Sequence, residues 1–282
     1  MLDFHTHSRA SDGSDTPAEL LHAALQAGLT AIALTDHDTL SGLPEFLKAA
    51  EGQPITAVPG VEISSSLYNK EIHIVGLFID PHSESLNTFL ENARENRNLR
   101  NRIMLEKLNA MGYAVTEEEV RICAGGESVG RPHMAQMLVQ KGFFPTIQDA
   151  FDRCLKRGAR AYTPRVLASP DESIRAIHDA GGLAFWAHPV YRARGERSMV
   201  RRFLRVMTPH GLDGIETCYP VFTARQTEML SAMAKEFGLL RTGGTDYHGI
   251  YHPGIRLGCG DGSLIVPDEL LDAMRSKLAE RK

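Results

Sequence analysis

Short apolar runs that end in histidine and carboxylate residues constrain the fold of this chain more than any other feature. The first run leads into DFHTH at residues 3–7, and the second into TDHD at residues 35–38. Successive side chains of a strand point to opposite faces, so His5 and His7 point the same way. Two imidazoles on one face at the end of a buried parallel strand make half of a metal site. A second histidine flanked by carboxylates, at the end of the next strand, indicates more than one metal ion.

The composition is that of a globular protein with a substantial core. The 282 residues are 43% hydrophobic and 23% charged, enough for one large α/β domain or a barrel with an insertion. A formal net charge of -4 argues against a broad electrostatic grip on duplex nucleic acid, but not against a small anion bound to metal. The four cysteines form no C-x-x-C pair and are expected to be reduced thiols. No apolar run is long enough to cross a membrane, and the chain enters a strand at once. We therefore expect a cytoplasmic protein without a signal peptide.

The order of predicted strands and helices divides the chain into a barrel and an insertion. Strands alternate with helices through the first third, residues 85–160 are mostly helical, and the alternation then resumes. We predict a β/α barrel over residues 1–84 and 161–282, because such barrels place their active sites at the strand ends where the polar residues cluster. We expect the helical insertion over residues 85–160 to contribute to the substrate pocket. Predicted strands cover residues 2–4, 31–34, 55–58, 72–78, 183–187, 213–216 and 239–242. Two predicted helices begin after capping boxes at Thr16 and Ser169. The other predicted helices cover residues 40–50, 86–111, 117–122, 132–141 and 147–156.

Nine residues are candidate metal ligands, and all except one fall at or just past the end of a predicted strand. A single histidine of this kind is more often a structural residue, but a set at nearly every strand end favours a metal centre. Carboxylates suit such a centre because they can bridge two cations and offset their charge. Nine ligands are too many for one ion and suit two or three. The candidates are His5, His7, Asp12, His37, Glu62, His73, His188, Asp246 and His248, of which His73 lies inside its strand.

These motifs resemble, in order, the metal-binding motifs of the polymerase and histidinol phosphatase (PHP) family, which belongs to the amidohydrolase superfamily. The resemblance covers the whole chain and implies an α/β fold, a distorted seven-stranded β/α barrel. It also implies a centre of three divalent ions, manganese with iron or zinc as alternatives. The implied reaction is phosphoester hydrolysis by a metal-bound hydroxide, which Glu62, Asp246 and His188 hold. The matching motifs are HTH at 5–7 with Asp12, TDHD at 35–38, GVEI at 60–63, His73, AHP at 187–189 and DYH at 246–248. In the family scheme one ion is held by His5, His7, Glu62 and Asp246, a second by Glu62, His73 and His188, and a third by Asp12, His37 and His248.

The insertion narrows the resemblance to one subgroup. The segment GRPH at residues 130–133, after ESV at 127–129, resembles the small stand-alone bacterial PHP phosphoesterases. Members of that group are nucleoside 3',5'-bisphosphate phosphatases, and close relatives are 5'-to-3' exoribonucleases on short RNA. We therefore expect removal of the 3'-phosphate from nucleotides such as phosphoadenosine phosphate. The alternatives are an exoribonuclease, a histidinol-phosphate phosphatase and a non-catalytic PHP module that supports a polymerase.

Several residues outside the ligand set are candidates for binding substrate. Arg131 precedes a proline at a helix start, a natural anion site, and we expect it to read the 5'-phosphate. His133, in the same segment, is a further candidate for binding substrate. Arg100 lies in a basic stretch with Arg94, Arg97 and Arg102 that either is a solvated helix face or grips a phosphate. Other candidates for lining the pocket are Ser8 and Arg9, beside the first ligands, and Tyr162, Arg165, Tyr191 and Tyr219. The expected partner is a small nucleotide or short single-stranded RNA, with no duplex nucleic acid and no membrane.

Overall fold

The computed structural model describes residues 1–124, 129–192 and 197–281, without the side chains of residues 191 and 192. The chain divides into two compact units, Met1–Leu90 with Ala168–Lys282, and Glu91–Leu167. The predicted insertion, residues 85–160, begins and ends a few residues before the second unit. No helix among the described residues is both long and apolar enough to span a membrane.

Seven strands in chain order form the sheet of the first unit, and the sheet closes on itself. Closure is visible where the Phe4 N–H donates to the Gly243 carbonyl at 3.1 Å and Thr6 forms a bridge with Tyr247. The predicted β/α barrel is thereby confirmed. The strands are β1 (Leu2–Asp3), β2 (Ala31–Leu34), β3 (Thr56–Leu67), β4 (Lys70–Leu77), β5 (Leu183–Trp186), β6 (Gly214–Cys218) and β7 (Leu240–Gly243).

The barrel is distorted because β4 runs against both of its neighbours. A two-residue turn, Tyr68 and Asn69, joins β3 directly to β4, and both residues have left-handed φ angles, 52° and 58°. Such a turn matches the twist of antiparallel strands. The reversal returns His73 alongside Ser64, its register partner on β3. A ligand within a strand thus reaches the same edge as ligands that follow their strands.

Helices surround the barrel and build the second unit. In the first unit they are α1 (Pro17–Gln26), α2 (Leu43–Ala50), α7 (Pro170–Asp179), α8 (Pro189–Arg192), α9 (Arg197–Met207), α10 (Ala224–Phe237) and α11 (Glu269–Glu280). The second unit contains α4 (Glu117–Ala124), α5 (Arg131–Gln140) and α6 (Ile147–Ala150), and α3 (Glu84–Ala110) begins in the first unit and continues into the second. The capping boxes at Thr16 and Ser169 form as predicted. The predicted helix 147–156 is wrong in its second half, where Phe151–Leu155 is a π-helical turn.

The core has layers that follow the alternation of side chains along each strand. Ala31 and Ala33 point into the barrel with Phe185, while Ile32 and Leu34 pack against the surrounding helices. Helix α11 closes the end of the barrel where the strands begin, since Arg275 bonds to Thr56, the first residue of β3. The opposite end, where β1, β2 and β3 finish, is left for polar residues.

Candidate metal centre

The candidate ligands share one edge of the barrel because the strands that carry them end there. His5 and His7 follow β1, and His37 follows β2. Glu62 lies within the longer β3, at the level where the chain of β2 bridges it through His37. The remaining edge residues come from β4, which carries His73, and from the segments after β5 and β7, which carry His188, Asp246 and His248.

Glu62 is the carboxylate on which the cluster converges. It is 1% exposed, so its charge is almost fully removed from water. Ring nitrogens of five histidines lie within 3.3 Å of its two oxygens. Oε1 is 3.3 Å from His5 Nε2, 2.8 Å from His73 Nδ1 and 3.1 Å from His188 Nε2, and Oε2 is 3.3 Å from His7 Nε2 and 3.0 Å from His37 Nδ1.

Among the described residues, three groups of ligand atoms lie close enough to share a cation, with the atoms of each group within 4.8 Å of one another. The first is the set predicted for one ion. The second shares Glu62 and His73 with a predicted set and adds His37. The third contains the predicted Asp12, His37 and His248 and adds His7. His188 is connected to the cluster through its contact with Glu62. The groups are His5, His7, Glu62 and Asp246; His37, Glu62 and His73; and His7, Asp12, His37 and His248.

The chemistry of these residues fits divalent cations. Imidazole with carboxylate is a donor set for zinc, iron or manganese. Two atoms that bind one ion at about 2.1 Å lie about 3.0–3.4 Å apart, which is the spacing around Glu62. Buried ring nitrogens also indicate cation sites. Among the described residues, His5 Nε2 and both nitrogens of His7 have no hydrogen-bond partner of good geometry. Buried polar atoms are rarely left so.

The electrostatics of the cluster favour protons on the ring nitrogens that would bind cations. Burial raises the pKa of Glu62, but His73, His37 and His5 overcome this and hold it well below its usual range. Burial likewise lowers the pKa of His7, but the nearby carboxylates of Asp246 and Glu62 raise it to about 10. Glu62 is therefore ionised. His5 and His7 face it as imidazolium groups, since burial lowers the pKa of His5 as well but Glu62, Asp246 and Glu216 raise it well above its usual range. Because ligands bind metal through deprotonated nitrogens, a cation would replace these protons.

Glu216, which was not predicted, positions two of the ligands. It is buried, and its Oε1 accepts from His5 Nδ1 at 3.1 Å while its Oε2 accepts from the His188 backbone N–H at 2.7 Å. The first bond keeps a proton on His5 Nδ1, which leaves Nε2, the nitrogen that faces Glu62, to bind a cation. Glu216 sits near the end of β6, the same position that identified the other candidates, so the sequence did carry a sign of its role.

The loop after β1 is organised by Asp36. The Ser8 N–H and hydroxyl donate to this carboxylate at 2.8 and 2.7 Å, and the Ser11 hydroxyl donates at 2.6 Å. The Ser8 hydroxyl is thus engaged within the loop. The Arg9 guanidinium donates to the Ser14 carbonyl. Both side chains therefore stabilise the loop that carries Asp12, and their predicted contact with substrate stays a prediction.

The ligands after β5 and β7 sit on sharp bends. His188 and Asp246 have φ angles of 33° and 53°, which non-glycine residues seldom adopt and which often mark functional sites. Tyr219, predicted to line the pocket, donates its hydroxyl to Asp246 at 2.7 Å. At Gly244 a Cβ would lie 2.4 Å from the His5 Cβ and backbone nitrogen, so only glycine lets the chain directly after β7 approach that ligand.

Three predicted substrate-binding residues belong to the second unit. Arg131 is the first residue of α5, half-buried, with its guanidinium 5.7 Å from the centre of the Tyr162 ring. The His133 Nδ1 accepts from the Gly130 N–H at 3.1 Å and so caps the same helix. Arg100 on α3 is 6% exposed and is therefore not part of a solvated face. Of the other sequence-based candidates, Glu127, Ser128 and the side chain of Tyr191 lie outside the described residues.

Comparisons with known proteins place these features in a family. The PHP domain matches residues 3–156. A 5'-3' exoribonuclease of Haemophilus influenzae is 37% identical over 247 residues, 87% of this chain and 89% of that protein. A 3',5'-nucleoside bisphosphate phosphatase of Chromobacterium violaceum is 34% identical over 248 residues, 88% of this chain and 87% of that protein. A solved amidohydrolase structure from Chromobacterium violaceum, with bound sulfate and no metal, has a TM-score of 0.84 at 32% identity and covers 98% of this chain and 96% of that chain.

The convergence on Glu62 predicts that replacing it will remove metal ions together with activity. Elemental analysis of the intact protein reloaded with manganese should approach three ions per chain. We expect Glu62→Gln to bind at least one ion fewer and to lose turnover, since a neutral amide cannot offset two cations. Cys123→Ala is the control and should match the intact protein, because that thiol lies in the second unit. Full occupancy and activity in Glu62→Gln would show that the centre is assembled differently.

The contacts of Glu216 predict a smaller effect on metal affinity. Glu216→Gln keeps the side-chain size but weakens the hold on the His5 tautomer, so the dissociation constant for manganese should rise about 10- to 100-fold. Competition with a fluorescent chelator measures this without any substrate. Glu228→Gln, at an exposed position of α10, is the matched control. An unchanged affinity in Glu216→Gln would mean that it does not position the ligands.

Proposed function

The chain belongs to the PHP domain family of metal-dependent phosphoesterases, and from that premise we propose that it removes the 3'-phosphate from nucleoside 3',5'-bisphosphates. Phosphoadenosine phosphate is the expected kind of substrate, and the products are a nucleoside 5'-monophosphate and inorganic phosphate. The observation that carries the proposal is the grouping of nine donors, with Glu62 among them, at the edge where the barrel strands end. The similarity to a named 3',5'-nucleoside bisphosphate phosphatase supports the choice of substrate.

The chain's own residues divide into buried anchors and members that face solvent. Divalent ions bound here would offset the charge of the phosphate and lower the pKa of water. Glu62 and His7 are at most 1% exposed, so they fix positions and meet no substrate directly. The Asp12 side chain is 36% exposed and that of Asp246 is 16% exposed, so the phosphate approaches from their side. Tyr219 holds Asp246 through its hydroxyl, which keeps the second carboxylate oxygen turned toward His7 at 3.1 Å.

A 5'-to-3' exoribonuclease on short RNA is the second candidate, favoured by the similarity to a protein of that name. The two activities are chemically close. The 3'-phosphate of a bisphosphate and the first internucleotide phosphate of RNA are both attached to a ribose O3'. In each case water adds to phosphorus and the P–O3' bond breaks, releasing a nucleoside 5'-monophosphate when the 5' end carries a phosphate. The exoribonuclease needs only room for the rest of the chain beyond the phosphorus.

Two further alternatives have less support. A non-catalytic PHP module has no use for a complete ligand set, whereas all nine candidates lie in one cluster here. Histidinol phosphate has no 5'-phosphate for Arg131 to read. An assay with manganese on phosphoadenosine phosphate, 5'-phosphorylated oligoribonucleotides and histidinol phosphate separates these functions. We expect turnover of the first two only, and exclusive turnover of histidinol phosphate would overturn the proposal.

The proposed role of Arg131 predicts a loss that depends on the substrate. Removing a partner of a charged pair costs about 2–5 kcal/mol, so Arg131→Ala should lower kcat/KM on the 3',5'-bisphosphate at least roughly thirty-fold. A nucleoside 3'-monophosphate lacks the 5'-phosphate, should be a poor substrate of the intact enzyme, and should be almost indifferent to the change.

Two checks accompany this comparison. Arg121→Ala is the matched control, because that arginine is exposed and pairs with Glu118 on its own helix. Its kinetics should equal those of the intact enzyme on both substrates. Equal losses on the two substrates in Arg131→Ala would show that Arg131 serves the reacting phosphate or the fold, and the proposed 5'-phosphate contact would be wrong.

A further inference from the structure

Helix α9 presents an unusual concentration of positive charge on the first unit. Its eleven residues include four arginines and no acidic residue, in a chain whose formal net charge is -4. The helix is strongly amphipathic: Val200, Phe203, Leu204 and Met207 are buried against the barrel. The arginines therefore occupy the remaining, outer side. They are Arg197, Arg201, Arg202 and Arg205.

These arginines line an open groove together with an exposed aromatic ring. The groove has a volume of about 960 Å³ and is lined by Tyr68, Arg197, Ser198, Arg201, Arg202, Arg205 and Val206. Tyr68 sits in the turn between β3 and β4 and is 48% exposed. Its ring lies 5.7 Å from that of Phe203, and the Arg202 guanidinium lies 4.1 Å from its centre. The Arg202 guanidinium therefore covers one face of the ring, and the exposed part of the ring lines the groove.

Most of the positive charge in the groove is uncompensated. Arg201 pairs with Glu236 at 2.6 Å. Within the described parts of the chain, no ion pair joins Arg197, Arg202 or Arg205 to a carboxylate, and all three are exposed. Such a surface attracts anions, and guanidinium groups bind phosphate with two parallel hydrogen bonds.

The course of the chain places the groove toward the end of the barrel that carries the ligands. Strand β3 runs five residues beyond Glu62 before the turn, a rise of about 17 Å. It is parallel to β2, so the turn projects past the edge that carries the ligands. Helix α9 begins shortly after β5 and His188, at the same edge. A few nucleotides of extended chain can span the length of strand between Glu62 and this turn.

We propose that the arginine groove binds the sugar-phosphate backbone of an RNA substrate downstream of the nucleotide held at the metal centre. Single-stranded nucleic acids are bound by cationic grooves combined with aromatic rings on which bases stack, and Tyr68 with the three exposed arginines supplies both. Anionic lipid offers no base for the ring. The inference rests on the proposed function in one respect: the phosphate on a ribose O3' must occupy the metal centre. Its consequence is that oligonucleotides are substrates alongside bisphosphates.

A binding measurement on metal-free protein tests the groove without any catalysis. The probe is a 5'-phosphorylated twelve-nucleotide RNA labelled at its 3' end, followed by fluorescence anisotropy in chelator. We expect Arg202→Ala/Arg205→Ala to raise the dissociation constant about tenfold at low salt and to reduce the salt dependence by about 1.4 in log–log slope, for two lost phosphate contacts. Tyr68→Ala should raise it at least about fivefold through lost stacking. Arg225→Ala/Lys235→Ala removes the same charge from exposed positions of α10 and should change nothing.

Kinetics on substrates of different length complete the test. The groove variant should lose kcat/KM on the twelve-nucleotide RNA in proportion to its binding, and should match the intact enzyme on the bisphosphate, which is too short to reach α9. Unchanged RNA binding in the groove variant would overturn the groove while leaving bisphosphate hydrolysis intact as the function. If the groove variant loses binding to vesicles of anionic lipid while its RNA binding is unchanged, the groove binds a membrane surface and the proposal is overturned. If the groove variant loses RNA binding but the intact protein does not hydrolyse the bisphosphate, the proposed function is refuted and the RNA-binding groove is still supported.

Discussion

A single buried carboxylate with five histidine nitrogens around it is the interaction on which this structure depends. Glu62 can sit at that point because β3 is twelve residues long and carries it past the end of β2. A charge with 1% exposure is costly unless it is paired. The imidazoles, and the cations that would replace their protons, provide that pairing. The closed sheet fixes the spacing, since the histidines come from strands that only a barrel brings together.

Much of the site could be predicted from sequence because metal ligands in a β/α barrel follow simple rules. The alternation of side chains in a strand put His5 and His7 on one face, and strand ends located His37 and His188. The reversal of β4 could not be predicted in this way, because a two-residue turn at Tyr68 and Asn69 carries no glycine to mark it. His73 therefore looked anomalous inside its strand until the antiparallel pairing explained it.

Residues that support the ligands were harder to predict than the ligands. Glu216 and Asp36 lie at strand ends like the others, yet their carboxylates bond to a histidine ring and to backbone and hydroxyl groups. Sequence does not distinguish a carboxylate that binds a cation from one that orients a ligand, because that depends on distances between segments far apart in the chain. The arginines of α9 were missed for a different reason. The role proposed for them depends on Tyr68, more than a hundred residues earlier, which the barrel places beside them.

Anomalous diffraction from manganese-loaded crystals tests the central role of Glu62 most directly. We expect separate manganese peaks on the two sides of its carboxylate, with Oε1 and Oε2 each about 2.0–2.2 Å from a different ion. A third peak should lie near Asp12 and His248, whose ligand atoms are 3.3 Å apart. A single peak, or a Glu62 side chain that contacts no ion, would contradict a centre built around this carboxylate.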